Sequence, residues 1–97
     1  MRKLFRGRFF SRGDVVDATI EMTNRMGLQG RGSARLTFTA AQFESEILLV
    51  SNDCTANAKD VMEVMRLSAR AGTQVRIQAI GPDEVAAVKV IAALLTD

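Results

Sequence analysis

The side chains that most often carry enzymatic chemistry are scarce in this sequence. Its 97 residues contain no histidine and one cysteine, Cys54. A single cysteine cannot form an intramolecular disulfide, and no segment has the ligand spacing of a zinc site. We therefore expect no metal, no cofactor and no enzymatic activity.

One short segment has the residue types of an anion-binding site. Arg31 stands between Gly30 and Gly32, where a predicted helix begins. Glycines at that place leave backbone N–H groups open, and a helix N-terminus attracts negative charge. Gly30, Arg31 and Gly32 are therefore candidate anion-binding residues.

Asp60 is a second residue of interest, because it precedes another predicted helix and Glu63 follows three residues later. This spacing is similar to a capping box, in which the first side chain accepts hydrogen bonds from the helix's free N–H groups. An Asp N-cap stabilises a helix by about 0.5–2 kcal/mol relative to Ala. We therefore predict that Asp60 begins the second helix.

Hydrophobic periodicity predicts the elements that position these residues. Alternation predicts strands at residues 16–22 and 75–79, and a short apolar run with a turn predicts a hairpin of strands at 47–50 and 54–57. A first helix should run from about Gly30 to Ala41, and a second from Asp60 until Gly72 stops it. A final helix should follow Asp83 and Glu84. The predicted apolar stripes of the first and last helices are Leu36, Ala40, Phe43 and Val85, Val88, Ala92, Leu95.

The order strand, helix, strand, strand, helix, strand, helix (βαββαβα) predicts an α+β open-faced sandwich. Three amphipathic helices would cover one face of a small antiparallel sheet, while the other face stays in water. We expect residues 14–97 to form this domain. Residues 1–13 form a basic leader that we expect to be flexible.

Charge is distributed unevenly along the chain. The leader supplies five of the thirteen cations, and without it the net charge of +2 becomes mildly negative. This distribution argues against direct binding of nucleic acid, although the leader offers positive charge to an anionic surface. Three interpretations of the leader remain: a flexible tail, an interfacial or partner-binding segment, and a mitochondrial-type presequence. No apolar run approaches the roughly 20 residues of a transmembrane segment, so we expect a cytoplasmic protein.

Three segments carry a resemblance to a known family. Met26-Gly-Leu-Gln-Gly-Arg-Gly-Ser-Ala34 resembles the active-site loop of HPr, the phosphocarrier protein of the sugar phosphotransferase system, which usually reads Gly-Leu-His-Ala-Arg-Pro-Ala. Phe43-Glu-Ser-Glu-Ile-Leu-Leu-Val-Ser-Asn52 and Asn57-Ala-Lys-Asp-Val-Met62 resemble the family's central hairpin and regulatory segment. The resemblance continues through Gly72-Thr-Gln-Val and the last helix.

The resemblance implies that Gln29 occupies the position of the phosphoryl-accepting histidine. In HPr proteins that histidine carries a phosphoryl group from enzyme I to sugar-specific carriers. A carboxamide nitrogen has no nucleophilic lone pair, so Gln29 cannot replace it. HPr-like regulators of the Crh type also have glutamine here, whereas Gly32 departs from the proline of both groups. Arg31 matches the family's active-site arginine.

The resemblance also places Asp60 where many HPr and Crh proteins have a serine that a kinase phosphorylates. Asp60 then is either a helix cap alone or also a partial, permanent mimic of phosphoserine. Around it the family's partner-docking surface would be apolar with a basic edge. The residues at these positions are Arg31, Ala34, Arg35, Phe38, Val61, Met62 and Met65.

These observations favour a Crh-like regulatory protein of the sugar phosphotransferase and carbon catabolite control system. It would act by docking to a protein partner, such as a transcriptional regulator, a metabolic enzyme or a phosphotransferase-system protein. One alternative is an active phosphocarrier, as homology alone would suggest. The other is a decayed or structural HPr-like domain.

Overall fold

The computed structural model describes residues 7–12, 15–25 and 27–97. Its strands are β1 (Gly7–Arg12), β2 (Val15–Glu21), β3 (Glu46–Ser51), β4 (Cys54–Asn57) and β5 (Gln74–Ile80). Its helices are α1 (Arg31–Ala40), α2 (Val61–Arg66) and α3 (Glu84–Leu95). Residues 1–6, 13 and 14, together with Met26, lie outside the described residues.

The strands form one antiparallel sheet in the order β1-β2-β5-β3-β4. The alternation predicted β2 and β5 because every second residue, from Val16 to Ile20 and from Val75 to Ala79, is apolar and buried on the helix side of the sheet. Val16, Ile20, Val75 and Ile77 are each at most 1% exposed. The α+β open sandwich predicted from periodicity is therefore confirmed.

Strand β1 was not predicted. Its residues pair with β2 throughout, with Phe9 opposite Ala18 and Arg12 opposite Val15. The sequence of this segment does not alternate between apolar and polar residues, so its pairing with β2 left no periodic signal. The flexibility of the leader as a whole stays a prediction.

Helix α1 turns its predicted apolar positions inward, while α3 does so only in part. Leu36 and Ala40 are fully buried, and Phe43 packs against the same core although it is partly exposed. Val85 is 43% exposed, so its prediction as a stripe residue was wrong. The buried residues of α3 are Ala87, Val88, Ile91, Ala92 and Leu95.

The end of α2 also differs from the prediction. The helix ends at Arg66, six residues before Gly72, with Leu67 as its C-cap. Ser68 follows in the left-handed region at φ 53° and ends the helical backbone. Gly72 instead shapes the turn into β5, where its N–H donates to the Met22 carbonyl at 2.7 Å.

The Asp83 side chain binds the chain before β3 and does not cap α3. Its carboxylate makes no cap hydrogen bond to the helix. It accepts instead from the Ser45 hydroxyl at 2.5 Å and from the backbone N–H groups of Glu44 at 3.0 Å and Ser45 at 2.9 Å. These bonds lower the pKa of Asp83, chiefly through the Ser45 hydroxyl. The residue therefore ties α3 to the chain entering β3.

The face of the sheet opposite the helices carries one buried acid. Asp17 is 5% exposed. Its carboxylate oxygens accept hydrogen bonds from Arg76 Nε at 2.9 and 3.0 Å, and one of them also accepts from Arg76 Nη2. This ion pair raises the pKa of Arg76, mainly because of the hydrogen bond to the carboxylate. Polar side chains of two neighbouring strands thereby satisfy each other on the open face.

Candidate functional site: the start of α1 and the exposed face of α1 and α2

The loop before α1 is held against the chain that follows α2. Leu28 is buried, and its N–H donates to the Ala69 carbonyl at 3.0 Å. Gly27 has φ 62°, and a Cβ at that position would lie 3.0 Å from the same carbonyl oxygen. A side chain at Gly27 would therefore strain the backbone and crowd this contact.

Gln29 is exposed and connects the two helices. Its side-chain Nε2 donates to the Met65 carbonyl in the last turn of α2 at 2.6 Å. The same carbonyl also accepts from the Ser68 N–H at 3.1 Å, so the Gln29 amide adds a second hydrogen bond to it. Sequence reasoning missed it, because the two residues are 36 positions apart and no local pattern joins them.

Helix α1 begins without a side-chain cap. Gly30 is its N-cap at φ 52° and ψ −119°, a conformation that suits glycine, and no side chain caps the free N–H groups of the first turn. The Ser33 hydroxyl donates to the Gly30 carbonyl at 2.7 Å. Arg31 is the first helical residue and is exposed. A Cβ built at Gly30 would meet no atom within 4 Å. The approach to this helix start is therefore open on the Gly30 side.

Gly32, the third predicted anion-binding residue, has a different environment. It is buried, and its N–H donates to the Gln29 carbonyl at 3.0 Å. That N–H is engaged in a turn and is not an open donor. Only Gly30 and Arg31 of the predicted set lie at the accessible surface, and their role in anion binding stays a prediction.

Asp60 caps α2. Its Oδ1 accepts from the N–H groups of Met62 at 3.0 Å and Glu63 at 3.2 Å. The reciprocal half of the capping box is absent, since the Glu63 carboxylate accepts from the N–H of Asn57 at 3.0 Å and not from that of Asp60. The cap alone explains an acid at this position, and a further role of its charge stays a prediction.

The predicted docking residues lie on two helices that pack against each other. Phe38 is 70% exposed and Met62 is 65% exposed, although both side chains are large and apolar. Val61 is 36% exposed, and Met65 is partly buried. We call the whole set the docking surface: Arg31, Ala34, Arg35, Phe38, Val61, Met62 and Met65.

Other kinds of site receive no support within the described residues. No group of three or more Cys, Asp or Glu side chains there is arranged to hold a metal ion. None of the three helices has the length and apolar character needed to cross a membrane. Cys54 is exposed at the edge strand β4, beside a shallow cavity of about 240 Å³ whose lining includes Glu63 and Arg66.

An antiparallel sheet with three helices on one face, and with a glycine-flanked arginine at the start of the first, defines the class of small HPr-like α+β domains. Residues 16–97 match a family profile described as "PTS HPr component phosphorylation site". The chain belongs to the HPr family. The family resemblance inferred from the sequence is confirmed.

Individual relatives agree with this assignment. The phosphocarrier protein HPr of Neisseria meningitidis is 38% identical over 81 residues, which are 84% of this chain and 91% of that protein. The crystal structure of HPr from Bacillus anthracis has a TM-score of 0.82 at 28% identity and covers 84% of this chain and 98% of its own. The solution structure of Crh, the Bacillus subtilis catabolite repression HPr, has a TM-score of 0.66 at 33% identity with the same coverage.

Proposed function

We propose that this HPr-family protein is a regulatory binding protein that docks to a protein partner and does not carry a phosphoryl group on histidine. The absence of histidine and an exposed apolar face together support this proposal. The sequence contains no histidine, and the face of α1 and α2 nevertheless presents large apolar side chains to solvent. A chain with these features can bind a partner but lacks the acceptor of a phosphocarrier.

Gln29 supports the first part of the proposal. If it occupies the position of the family's histidine, the group there is an amide whose nitrogen lone pair is delocalised into the carbonyl. Its N–H is already donated to the Met65 carbonyl. Gln29 then serves as a hydrogen-bond donor that joins the loop before α1 to α2, and it has no nucleophilic role.

The exposure of Phe38 and Met62 supports the second part. Large apolar side chains this exposed, on neighbouring helices, are typical of a protein-binding surface. Methionine is suited to such a surface because its unbranched side chain adapts to different shapes. Arg31 and Arg35 provide the basic edge on α1, and both are exposed.

Asp60 contributes to the docking surface in one of two ways. As a cap it orders α2 and hence the position of Met62. As a partial mimic of phosphoserine, it also presents one permanent negative charge at the edge of the surface. Replacement by Asn separates the two roles, because Asn caps a helix about as well as Asp but is neutral.

We further propose that the partner is a transcriptional regulator or a metabolic enzyme under carbon catabolite control, in the cytoplasm. The likeness to Crh, the Bacillus subtilis catabolite repression HPr, favours this direction. An active phosphocarrier is the alternative that the names of the relatives favour. A decayed or structural domain is the remaining alternative.

The proposal is tested by capturing partners from the host lysate on immobilised protein. Wild type is compared with Met62→Asp and with Val90→Asp, a matched control on α3 whose side chain is 41% exposed. A charge placed at the centre of a docking surface should weaken capture of a specific partner about tenfold or more. The control should retain that partner.

Two further variants, Asp60→Asn and Asp60→Lys, distinguish a role of the Asp60 charge in docking from a role as helix cap alone. Loss of the partner with both variants would indicate that the charge takes part in docking. Loss with Asp60→Lys alone would leave Asp60 as a cap. Equal retention of every protein by wild type and Met62→Asp would contradict docking through this surface.

A further inference from the structure

Two stretches of the chain without basic residues meet where β5 passes into α3. No lysine or arginine occurs at residues 36–58 or at residues 77–88. The first stretch leads into β3, and the second contains the turn before α3. Asp83 Oδ2 accepts from the Glu44 N–H at 3.0 Å, and Glu46 pairs with Ile80 across β3 and β5. Carboxylates from both stretches are therefore brought to the same end of the sheet.

Two apolar side chains are exposed among these carboxylates. Ile80 is 45% exposed, and Val85, on the other side of the turn at residues 81–84, is exposed to a similar degree. The turn is tight, because the Gly81 N–H donates to Glu84 Oε2 at 3.1 Å. We call the following residues together the acidic surface: Glu44, Glu46, Ile80, Asp83, Glu84 and Val85. It shares no residue with the docking surface.

The carboxylates of the acidic surface have few cations beside them. Glu44 and Glu46 are exposed, and neither makes an ion pair with a described side chain. Lys59 donates its Nζ to the Phe43 carbonyl at 2.7 Å, and Lys89 lies beyond the first turn of α3. The acidic surface therefore combines net negative charge with exposed apolar side chains. Charge complementarity favours an occupant that is both basic and apolar.

The chain itself contains a segment of that composition. Residues 1–6 combine three cations with two large apolar side chains, namely Arg2, Lys3, Arg6, Leu4 and Phe5. The strand that follows them begins far from the acidic surface of its own molecule. Gly7 pairs with Ile20, whereas Val15, at the other end of β2, pairs with Ile80. These two ends of β2 are about 17 Å apart.

We propose that residues 1–6 of one copy of the chain bind the acidic surface of a second copy. Leu4 and Phe5 contact Ile80 and Val85, while the cations of the segment pair with the surrounding carboxylates. Each copy offers one such segment and one such surface, so the association depends on protein concentration. Because ion pairs in water contribute little and are screened by salt, the contact is weak and sensitive to ionic strength.

The test measures self-association of the full chain by sedimentation velocity and by the concentration dependence of its ¹H–¹⁵N NMR spectrum. The backbone amide signals of residues 44–46 and 83–85 should shift as the protein concentration rises. Addition of salt should reverse these shifts, because it screens the attraction between the segment and the acidic surface.

Two double variants of the full chain separate the two halves of the contact. Arg2→Gln with Lys3→Gln alters the segment, and Glu44→Gln with Glu46→Gln alters the acidic surface. Each variant alone should self-associate about tenfold more weakly than wild type. A mixture of the two should restore association, because one retains the segment and the other retains the surface. Glu21→Gln, which changes an exposed acid at the opposite end of the sheet, is the matched control and should behave as wild type.

Absence of self-association in wild type would overturn the inference, as would self-association that survives either double variant. Failure of the mixture to associate would overturn it too. Variant-dependent signal differences at residues 44–46 that do not change with concentration would also overturn it, because the segment would then bind its own molecule. The variants leave the docking surface unchanged, so any of these results leaves the docking function intact.

Discussion

Thr37 of α1 has a buried polar atom without a partner. Its Oγ1 is enclosed and makes no hydrogen bond within the described part of the chain. A hydroxyl removed from water without compensation lowers stability. Two residues along the same helix, Thr39 donates its hydroxyl to the Arg35 carbonyl at 2.8 Å and shows the usual arrangement.

We therefore expect Thr37→Val to raise the free energy of unfolding by about 1 kcal/mol, because the side chains have the same shape and only the hydroxyl is lost. Urea denaturation of wild type and variant measures the change. Thr39→Val is the matched control and should not be stabilising. A Thr37→Val protein less stable than wild type would show that the hydroxyl does have a partner.

Asp83 makes the stability of the fold dependent on pH. Hydrogen bonds from the Ser45 hydroxyl and the Glu44 N–H lower its pKa from the ordinary value of 3.8. A carboxyl whose pKa is lower in the folded state stabilises the protein fully above its unfolded pKa, and this stabilisation is lost as the pH falls through the folded value.

Wild type should consequently be more stable than Asp83→Asn at neutral pH, and the difference should narrow only below about pH 4. Urea denaturation of both proteins at several pH values from about 6 to 2.5 measures this difference. If the difference in free energy of unfolding between wild type and Asp83→Asn stays constant across the acidic range, the role assigned to the Asp83 carboxylate is contradicted.

At the scale of the elements, the end of α2 contains local strain. Ser68 has φ 53°, where a residue with a Cβ is less stable than glycine by about 1–2 kcal/mol. Its side chain is exposed, so replacement disturbs no packing. Ser68→Gly should raise the free energy of unfolding by about 1 kcal/mol.

The matched control is Ser68→Ala, which keeps the Cβ and should give no gain. Thermal or urea denaturation of the three proteins tests the prediction. Stabilisation by alanine equal to that by glycine would show that the serine hydroxyl, and not the backbone conformation, limits stability.

The elements that periodicity predicted are those whose burial repeats along the sequence. Strands β2 and β5 alternate, and α1 begins and ends within one residue of its prediction. The end of α2 was mispredicted because Ser68, not a glycine, adopts the left-handed conformation there. Val85 was mispredicted because a short apolar stripe fits more than one face of an alanine-rich helix.

Contacts between distant parts of the chain were beyond sequence reasoning. The Gln29–Met65 hydrogen bond and the Asp17–Arg76 ion pair join residues with no shared pattern. On α1, by contrast, the predicted stripe residues Leu36 and Ala40 are buried, while Phe38 of the predicted docking surface is exposed. Periodicity thus predicted the buried face of α1 and part of that of α3, but not which side chains connect the elements.

At the scale of the whole molecule, stability and docking use different surfaces. Three helices cover one face of the sheet, and the core between them is apolar. The exposed side of α1 and α2 adds large apolar residues that this core does not need, together with arginines that no described carboxylate neutralises. A protein whose only role was structural would gain nothing from this surface.

We expect this HPr-family chain, which has no histidine, to act by docking and to accept no phosphoryl group. The most direct test is incubation with enzyme I and ³²P-labelled phosphoenolpyruvate, followed by separation of the proteins before and after acid treatment. The Neisseria meningitidis HPr serves as positive control, and Gln29→His tests whether the surrounding site supports transfer once an acceptor is present.

We expect the wild-type chain to remain unlabelled while the positive control acquires an acid-labile phosphoryl group. Labelling of Gln29→His would then show that the missing imidazole alone prevents transfer. Acid-labile labelling of the wild-type chain would contradict the account and would make the protein an active phosphocarrier.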